Sequence, residues 1–208
     1  SYVMPGREWS DAAKRRQLLD RALEKLRSLP GVTHAALTNP LPLSGGGNQT
    51  TFLVEGQPEP GPGQRPSTEN NAASRDYFET MRIPLLRGSG FTDLESPTDP
   101  ATIVIDTKFA DTWFPGQDPI GKRVNFGPPN GDPVYVTIVG VVGHVQNYGI
   151  NQDTRVQIYY PYRRITPGGV SFVVRTSQDP AALASAIRAA MREVEPTLPI
   201  FGLRTMTE

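Results

Sequence analysis

Val134 to Val142 reads VYVTIVGVV, nearly continuous in apolar and β-branched residues, and such a run suits a strand covered on both faces. A chain built around it must supply layers to either side of a sheet. The surrounding stretch, Ile83 to Val145, packs several punctuated elements into one block. Thr102 to Ile105 is a short β-branched run, Asp106 stands where it can cap a helix, and Lys108 to Phe114 carries Phe109 and Trp113 one turn apart. Pro115-Gly116 stops that helix, Asp118-Pro119-Ile120-Gly121 makes a second turn, and Lys122 to Phe126 is extended again. The residues that stand out are turn formers and packing residues, while the acids and bases are scattered. This is the core of a small lobe, with nothing in it that resembles an active site.

Before this block, Ser10 is placed to cap a helix running from about Asp11 to Ser28, with Ala12, Leu19, Leu23 and Leu26 on one stripe. Leu29-Pro30-Gly31 ends it. Val32 to Asn39 and Gln49 to Glu55 read as strands, the second with Thr50, Phe52 and Val54 on one face. Between them lies PLPLSGGGN. The triple glycine lacks the Lys-Ser/Thr and the following helix of a phosphate loop, so nucleotide binding is set aside. Leu41 and Leu43 beside Gly45, Gly46 and Gly47 instead suggest a mobile loop with apolar residues offered to a partner. Gly56 to Pro66 reads as a Pro/Gly spacer, followed by a strand near Ser67 to Ala73 and a helical turn near Arg75 to Met81.

After the central block come strands at Val156 to Tyr160 and Val170 to Arg175, with Val170, Phe172 and Val174 on one face. Asp179-Pro180 starts a helix whose buried stripe is Leu183, Ile187, Met191 and Val194, and Leu198 to Thr205 reads as a last strand. Helix, proline stop and strand thus occur at both ends of the chain. The ends are expected to share a sheet in a βαβ-like arrangement, with the middle inserted between them.

Lys plus Arg and Asp plus Glu are balanced at 21 each, which leaves no electrostatic footprint for nucleic acid. Cysteine is absent, which removes disulfides and thiolate metal sites. No apolar run approaches the roughly 20 residues of a membrane span, so the chain as given is expected to be soluble, and it reads as a piece of something larger.

Taken in order, LPGV after an amphipathic helix, LPLSG, VEG before a Pro-rich loop, SRDYFETMRIPLLRGSGFTD, FADTWFPGQDPIGKRV with VTIVGVVGHV, and the closing VVRTSQDPAALASAIRAAMREVEPTLPIFGLRTM resemble the periplasmic core domain of MacB/FtsX-type ABC transporter permeases, in their duplicated-core orphan group. The resemblance covers nearly the whole chain and rests on the series, since no single motif is catalytic. It implies an α+β fold of two lobes. A discontinuous porter-like αβ subdomain takes 1–81 and 164–208, and a smaller subdomain of 82–163 is inserted. It also implies a non-catalytic domain on the outer side of the cytoplasmic membrane, between transmembrane helices of its own permease. Its partners would be an ABC ATPase, a second or pseudo-symmetric permease half, and a periplasmic adaptor, with no cofactor. Gly88-Ser89-Gly90-Phe91 departs from the family's usual Gly-Arg before the acid and Phe, so any salt bridge of that arginine is lost. Ile105-Asp106-Thr107 replaces a usual Val-Asn-Glu, with the cap retained.

Two other readings start from the residues. A hydrolase would have to be built on His34 and His144, the latter near Asn147 and Tyr148, but there is no G-x-S-x-G and no H-E-x-x-H. A ligand- or lipid-sensing domain would use a cleft between lobes lined by Tyr148, Tyr159, Tyr160, Tyr162 and Trp113.

Overall fold

The structure, a computed structural model, describes residues 1–4, 9–43, 47–93, 95, 97–146, 155–197 and 201–205. Helix α1 spans Ala12–Arg27. Its cap is Asp11 and not Ser10: the Asp11 carboxylate accepts the Ala13 amide at 2.7 Å, where negative charge also meets the positive end of the helix dipole. Strand β2 (Val32–Asn39) then pairs antiparallel with β11 (Gly169–Thr176), and β1 (Tyr2–Val3) pairs with the outer edge of β11. The chain ends therefore share a sheet, but through antiparallel neighbours and without a parallel crossover between them. A 3₁₀ turn at Pro180–Leu183, capped by Asp179, leads into α4 (Ala184–Val194). The strand expected near the C-terminus is not formed in 201–205; β1 occupies the edge of β11, and the Phe201 amide donates instead to the Ser1 carbonyl at 2.9 Å.

The remaining strands close on themselves. β3 (Gln49–Thr51) and β4 (Leu53–Val54) are one line of chain broken at Phe52. Its first half pairs with β5 (Ser67–Ala73), and its second half pairs with β8 (Arg123–Asn125). From β5 the sheet continues to β10 (Gln157–Pro161), then β7 (Thr102–Asp106), β9 (Tyr135–Val142) and back to β8. Switching partner at Phe52 thus joins the ends of this sheet into a ring of β3/β4, β5, β10, β7, β9 and β8, which leaves those strands little unpaired edge. Helix α3 (Thr107–Trp113) follows β7. Strand β6 (Leu85–Gly88) pairs with the far half of β9. There Gly88, at φ +68°, and Gly140 let the two backbones meet: a Cβ on Gly88 would lie 2.1 Å from the Val139 oxygen, and one on Gly140 2.2 Å from that of Ser89.

Burial follows the two faces. On one side of β2 and β11, Leu18, Leu19, Leu23 and Leu26 of α1 and Met191 of α4 pack with Ala35, Leu37 and Val170, and Ile187, Phe172 and Val174 are partly buried against them. Within the ring, Phe52, Val54, Ile103, Ile105, Val124, Ile138 and Ile158 pack with Phe109 and Phe114. Between these two regions lies a third cluster. Tyr77 and Phe78 of α2 (Tyr77–Met81), Phe91 and Tyr159 join Ala36 and Val173 from the β2/β11 pair to Val104 and Val142 of the ring. Val142 ends the β-branched run Val134 to Val142, which is covered on both faces from Ile138 onward, while Val134 and Tyr135 at its start are exposed.

Phe52 and Val54 belong to the ring, although a division at residue 81 assigns them with the chain ends. The Gly56 to Pro66 segment is also no loose spacer. The Arg65 side chain is only 5% exposed; it forms a two-pronged pair with Glu59 and donates to the Gly127 carbonyl. The arginine thereby fastens this segment to the turn after β8, and it holds the Glu59 carboxyl below the ordinary range.

Candidate functional site

The loop between β2 and β3 is an excursion from a single strand line, since both strands pair with β5. Its neck is pinned. Asn48 Nδ2 donates to Asn39 Oδ1 at 3.2 Å, Asn39 Nδ2 donates to the Gly169 carbonyl, and the Asn70 amide donates to the Asn48 carbonyl at 2.8 Å. The two leucines then part company. Leu41 turns inward, partly buried against the cluster of Ala36, Tyr77 and Tyr159. Leu43 is 64% exposed and holds a left-handed backbone, φ 61°, a conformation that costs a non-glycine residue roughly 1 kcal/mol. Gly47 is exposed, and Gly45 and Gly46 lie outside the described residues. The expectation of two solvent-facing leucines is corrected to one, because Leu41 finds an apolar seat beside its own strand.

The histidines do not come together. His34 of β2 faces Glu79 at 3.2 Å and touches the Thr33 hydroxyl. His144, just past β9, bonds through Nδ1 to Oδ2 of the fully buried Asp106, whose Oδ1 accepts the Phe109 amide at 2.8 Å and so caps α3. An Asp-His pair is one part of a hydrolytic triad, but here Asp106 is committed to the cap of α3. Asn147 and Tyr148 lie outside the described residues. Among the described residues no cluster of His, Asp and Glu could hold a metal ion.

The described tyrosines do not line a cleft either. Tyr162 packs against the helical layer and its hydroxyl donates to Asp20 of α1, Tyr159 is in the central cluster with its hydroxyl on Gln157 at 2.9 Å, and Tyr160 and Trp113 pack against the ring core. Burial pushes all three phenols up. A shallow depression of about 660 Å³ runs along α1, but Trp9, Lys14, Asp20, Arg21 and Glu195 line it, with mixed charge and no focused polar group.

Among the described residues the geometry therefore offers packed layers, pinned loops and exposed apolar side chains, of which Leu43 is the most exposed large one, and no assembled reaction centre. The description "MacB-like periplasmic core domain" matches residues 1–190. The chain belongs to this family. It is accordingly the periplasmic or extracellular domain of a MacB-like ABC transporter permease, a family that is typically non-catalytic. The fold agrees. The periplasmic region of MacB from Actinobacillus actinomycetemcomitans superposes with a TM-score of 0.59 at 15% identity, over 93% of this chain and 81% of that one. A permease-protein domain from Porphyromonas gingivalis gives 0.54 at 19% identity, over 84% and 68%. The extracellular domain of the noncanonic ABC-type transporter YknZ from Gram-positive bacteria gives 0.51 at 18% identity, over 94% and 89%. None of the curated proteins compared with the chain matches it. No helix among the described residues of this MacB-like domain is long and apolar enough to cross a membrane.

Sequence reasoning missed the Asn39–Asn48 neck, the Arg65 clamp and the Asp106–His144 pair. The first had a local signal, an asparagine at each end of a Gly-rich loop; the other two did not, because Arg65 meets a carbonyl 62 residues away and the partners of the third are 38 residues apart.

Proposed function

We propose that this domain is the non-catalytic coupling element of its permease, carrying ATP-driven movement of the membrane helices to exported substrate or to an extracytoplasmic partner. The observation that carries the reading is the joining of the two ends. The Phe201 amide donates to Ser1 at 2.9 Å, β1 lies on β11, and from there paired strands run without a break through β2 and β5 into the ring. A displacement applied at that junction is handed to the whole sheet, because packed layers shift as units and not by continuous deformation. The αβ layer of the chain ends and the ring act as the two lobes of this lever. In this reading the partners are a second permease half, an ABC ATPase and, where one docks, a periplasmic adaptor, and the permease is one of the duplicated-core group. Leu43 is the contact residue in this reading, held out on a pinned loop while Leu41 anchors it.

The test uses the full permease. A flexible Gly-Ser insert of about six residues at each junction with the membrane helices should leave ATP hydrolysis intact and abolish transport, since a coil transmits no defined displacement. Undiminished transport with both inserts would show that the domain is a passive tether.

A further inference from the structure

Strand β6 lies outside the closed ring and pairs with the far half of β9 alone. The pairing is bracketed by the Gly143 amide, which donates to the Pro84 carbonyl at 2.9 Å, and by the Ser89 amide, which donates to the Val139 carbonyl at 2.8 Å. No strand among the described residues lies on the other side of β6. A trans peptide sets its N–H and its C=O on opposite sides. With the Pro84 carbonyl and the Ser89 amide turned to β9, the Leu85 N–H and the Gly88 carbonyl therefore point away from it, and neither is taken by another described residue.

The side chains of this edge are as open as its backbone. All four residues of β6 are exposed, Leu85 at 44% and Leu86 at 54%, while buried Ile83 anchors the approach to the strand in the central cluster. Arg82, ahead of the strand, and Arg87, within it, are exposed as well. Arg27, Arg65, Arg75, Arg123 and Arg163 each hold a carboxylate, but Arg82 and Arg87 make no ion pair with another described residue. Two apolar side chains thus stand between two uncommitted guanidiniums, on an edge with free backbone groups. Such an edge is a template for another strand. A second copy of the chain is a poor occupant, because it brings the same two cations to the same short edge. A strand with acidic residues around an apolar centre reverses that sign.

We propose that the outer edge of β6 is a docking strip for an extended segment of a partner protein, apolar at its centre and acidic at its ends, which adds a strand beside Leu85–Gly88. Main-chain hydrogen bonds to the Leu85 N–H and the Gly88 carbonyl hold the segment, Leu85 and Leu86 cover its apolar residues, and Arg82 and Arg87 select its charge. The strip is separate from the Leu43 loop. It also stands independently of the coupling role, because binding to it is read on the 208-residue chain alone.

The probes are two synthetic peptides of about seven residues with blocked ends and the same valine-threonine centre, one flanked by glutamates and the other by lysines. Titrated at low salt into the isotopically labelled chain and followed by NMR, the acidic peptide should bind about tenfold tighter than the basic one. The largest amide shifts should fall between Leu85 and Ser89. Methylating alternate backbone nitrogens of the acidic peptide should abolish binding in one register and spare it in the other, since only one set of its amides faces β6. This arm leaves the chain itself untouched. Arg82→Glu combined with Arg87→Glu, both on exposed side chains, should turn the preference toward the basic peptide. Equal binding of the two peptides, or binding of neither, overturns the proposal, as do shifts centred elsewhere and methylated forms that bind alike. A concentration-dependent dimer in light scattering, with the same amides shifting, would give the edge to a second copy and overturn it too.

Discussion

Asp106 shows how one residue can organise a region without being catalytic. It is fully buried, caps α3 through one oxygen and holds His144 through the other. Its removal strands two donors in the interior, so Asp106→Ala should lower the unfolding free energy by about 2–5 kcal/mol, while Asp106→Asn, which keeps an acceptor for the cap, should cost less. A double-mutant cycle with His144→Ala, read by urea denaturation, separates the cap from the pair; additive losses would mean that the pair contributes nothing. Tyr77 gives a second residue-scale expectation. Burial pushes its phenol up to about 12. A phenol that holds its proton more tightly folded than unfolded stabilises the domain below the unfolded pKa of about 10, and that stability is lost as the pH climbs from there through the folded value. Alkaline unfolding should begin in that window, and Tyr77→Phe should move its onset upward in a pH titration monitored by circular dichroism.

At the scale of elements, the β2–β3 loop separates two effects that the sequence alone merges. Leu41→Ser exposes a hole in the central cluster and should cost about 1–3 kcal/mol, whereas Leu43→Ser, on an exposed side chain, should stay within about 0.5 kcal/mol. Thermal melts of the two single variants check this, and equal losses would mean that the inward turn of Leu41 contributes nothing. What could be read from the sequence was local: the Asp106 cap, the Asp179-Pro180 start and the stripe Leu183, Ile187, Met191, Val194 each depend on neighbours within a turn or two, and all appear in the structure. What could not be read was pairing. Nothing near Phe52 announces that its strand changes partner from β5 to β8, and nothing in the Pro-rich segment after it announces that Arg65 will find Glu59 and the Gly127 carbonyl. The same limit governs the candidate contact site. Composition marked an apolar Gly-rich loop, but only the packing of Tyr77 and Tyr159 decides which leucine faces out.

For the whole molecule, the issue is whether the αβ layer and the ring unfold as one body. Coupling requires that they do. The central cluster makes the connection: Phe78 of α2 lies 5.0 Å from Tyr159, edge to face, and 6.0 Å from Phe91, and the same cluster holds Ala36 and Val173 on one side and Val104 and Val142 on the other. Phe78→Ala should therefore cost about 3–5 kcal/mol and weaken both halves at once. The sequence supplies its own reporters, since the two tryptophans fall one to each region: Trp9 packs against the helical layer and Trp113 against the ring core. In Trp9→Phe and Trp113→Phe variants the remaining indole reports one region alone. Their urea transitions should coincide in midpoint and slope, the signature of a single cooperative unit, and adding Phe78→Ala should lower both midpoints together. Two separated transitions in the natural core would mean that the central cluster is a hinge between independent bodies, and a domain of that kind would absorb the motion of the membrane helices instead of passing it on.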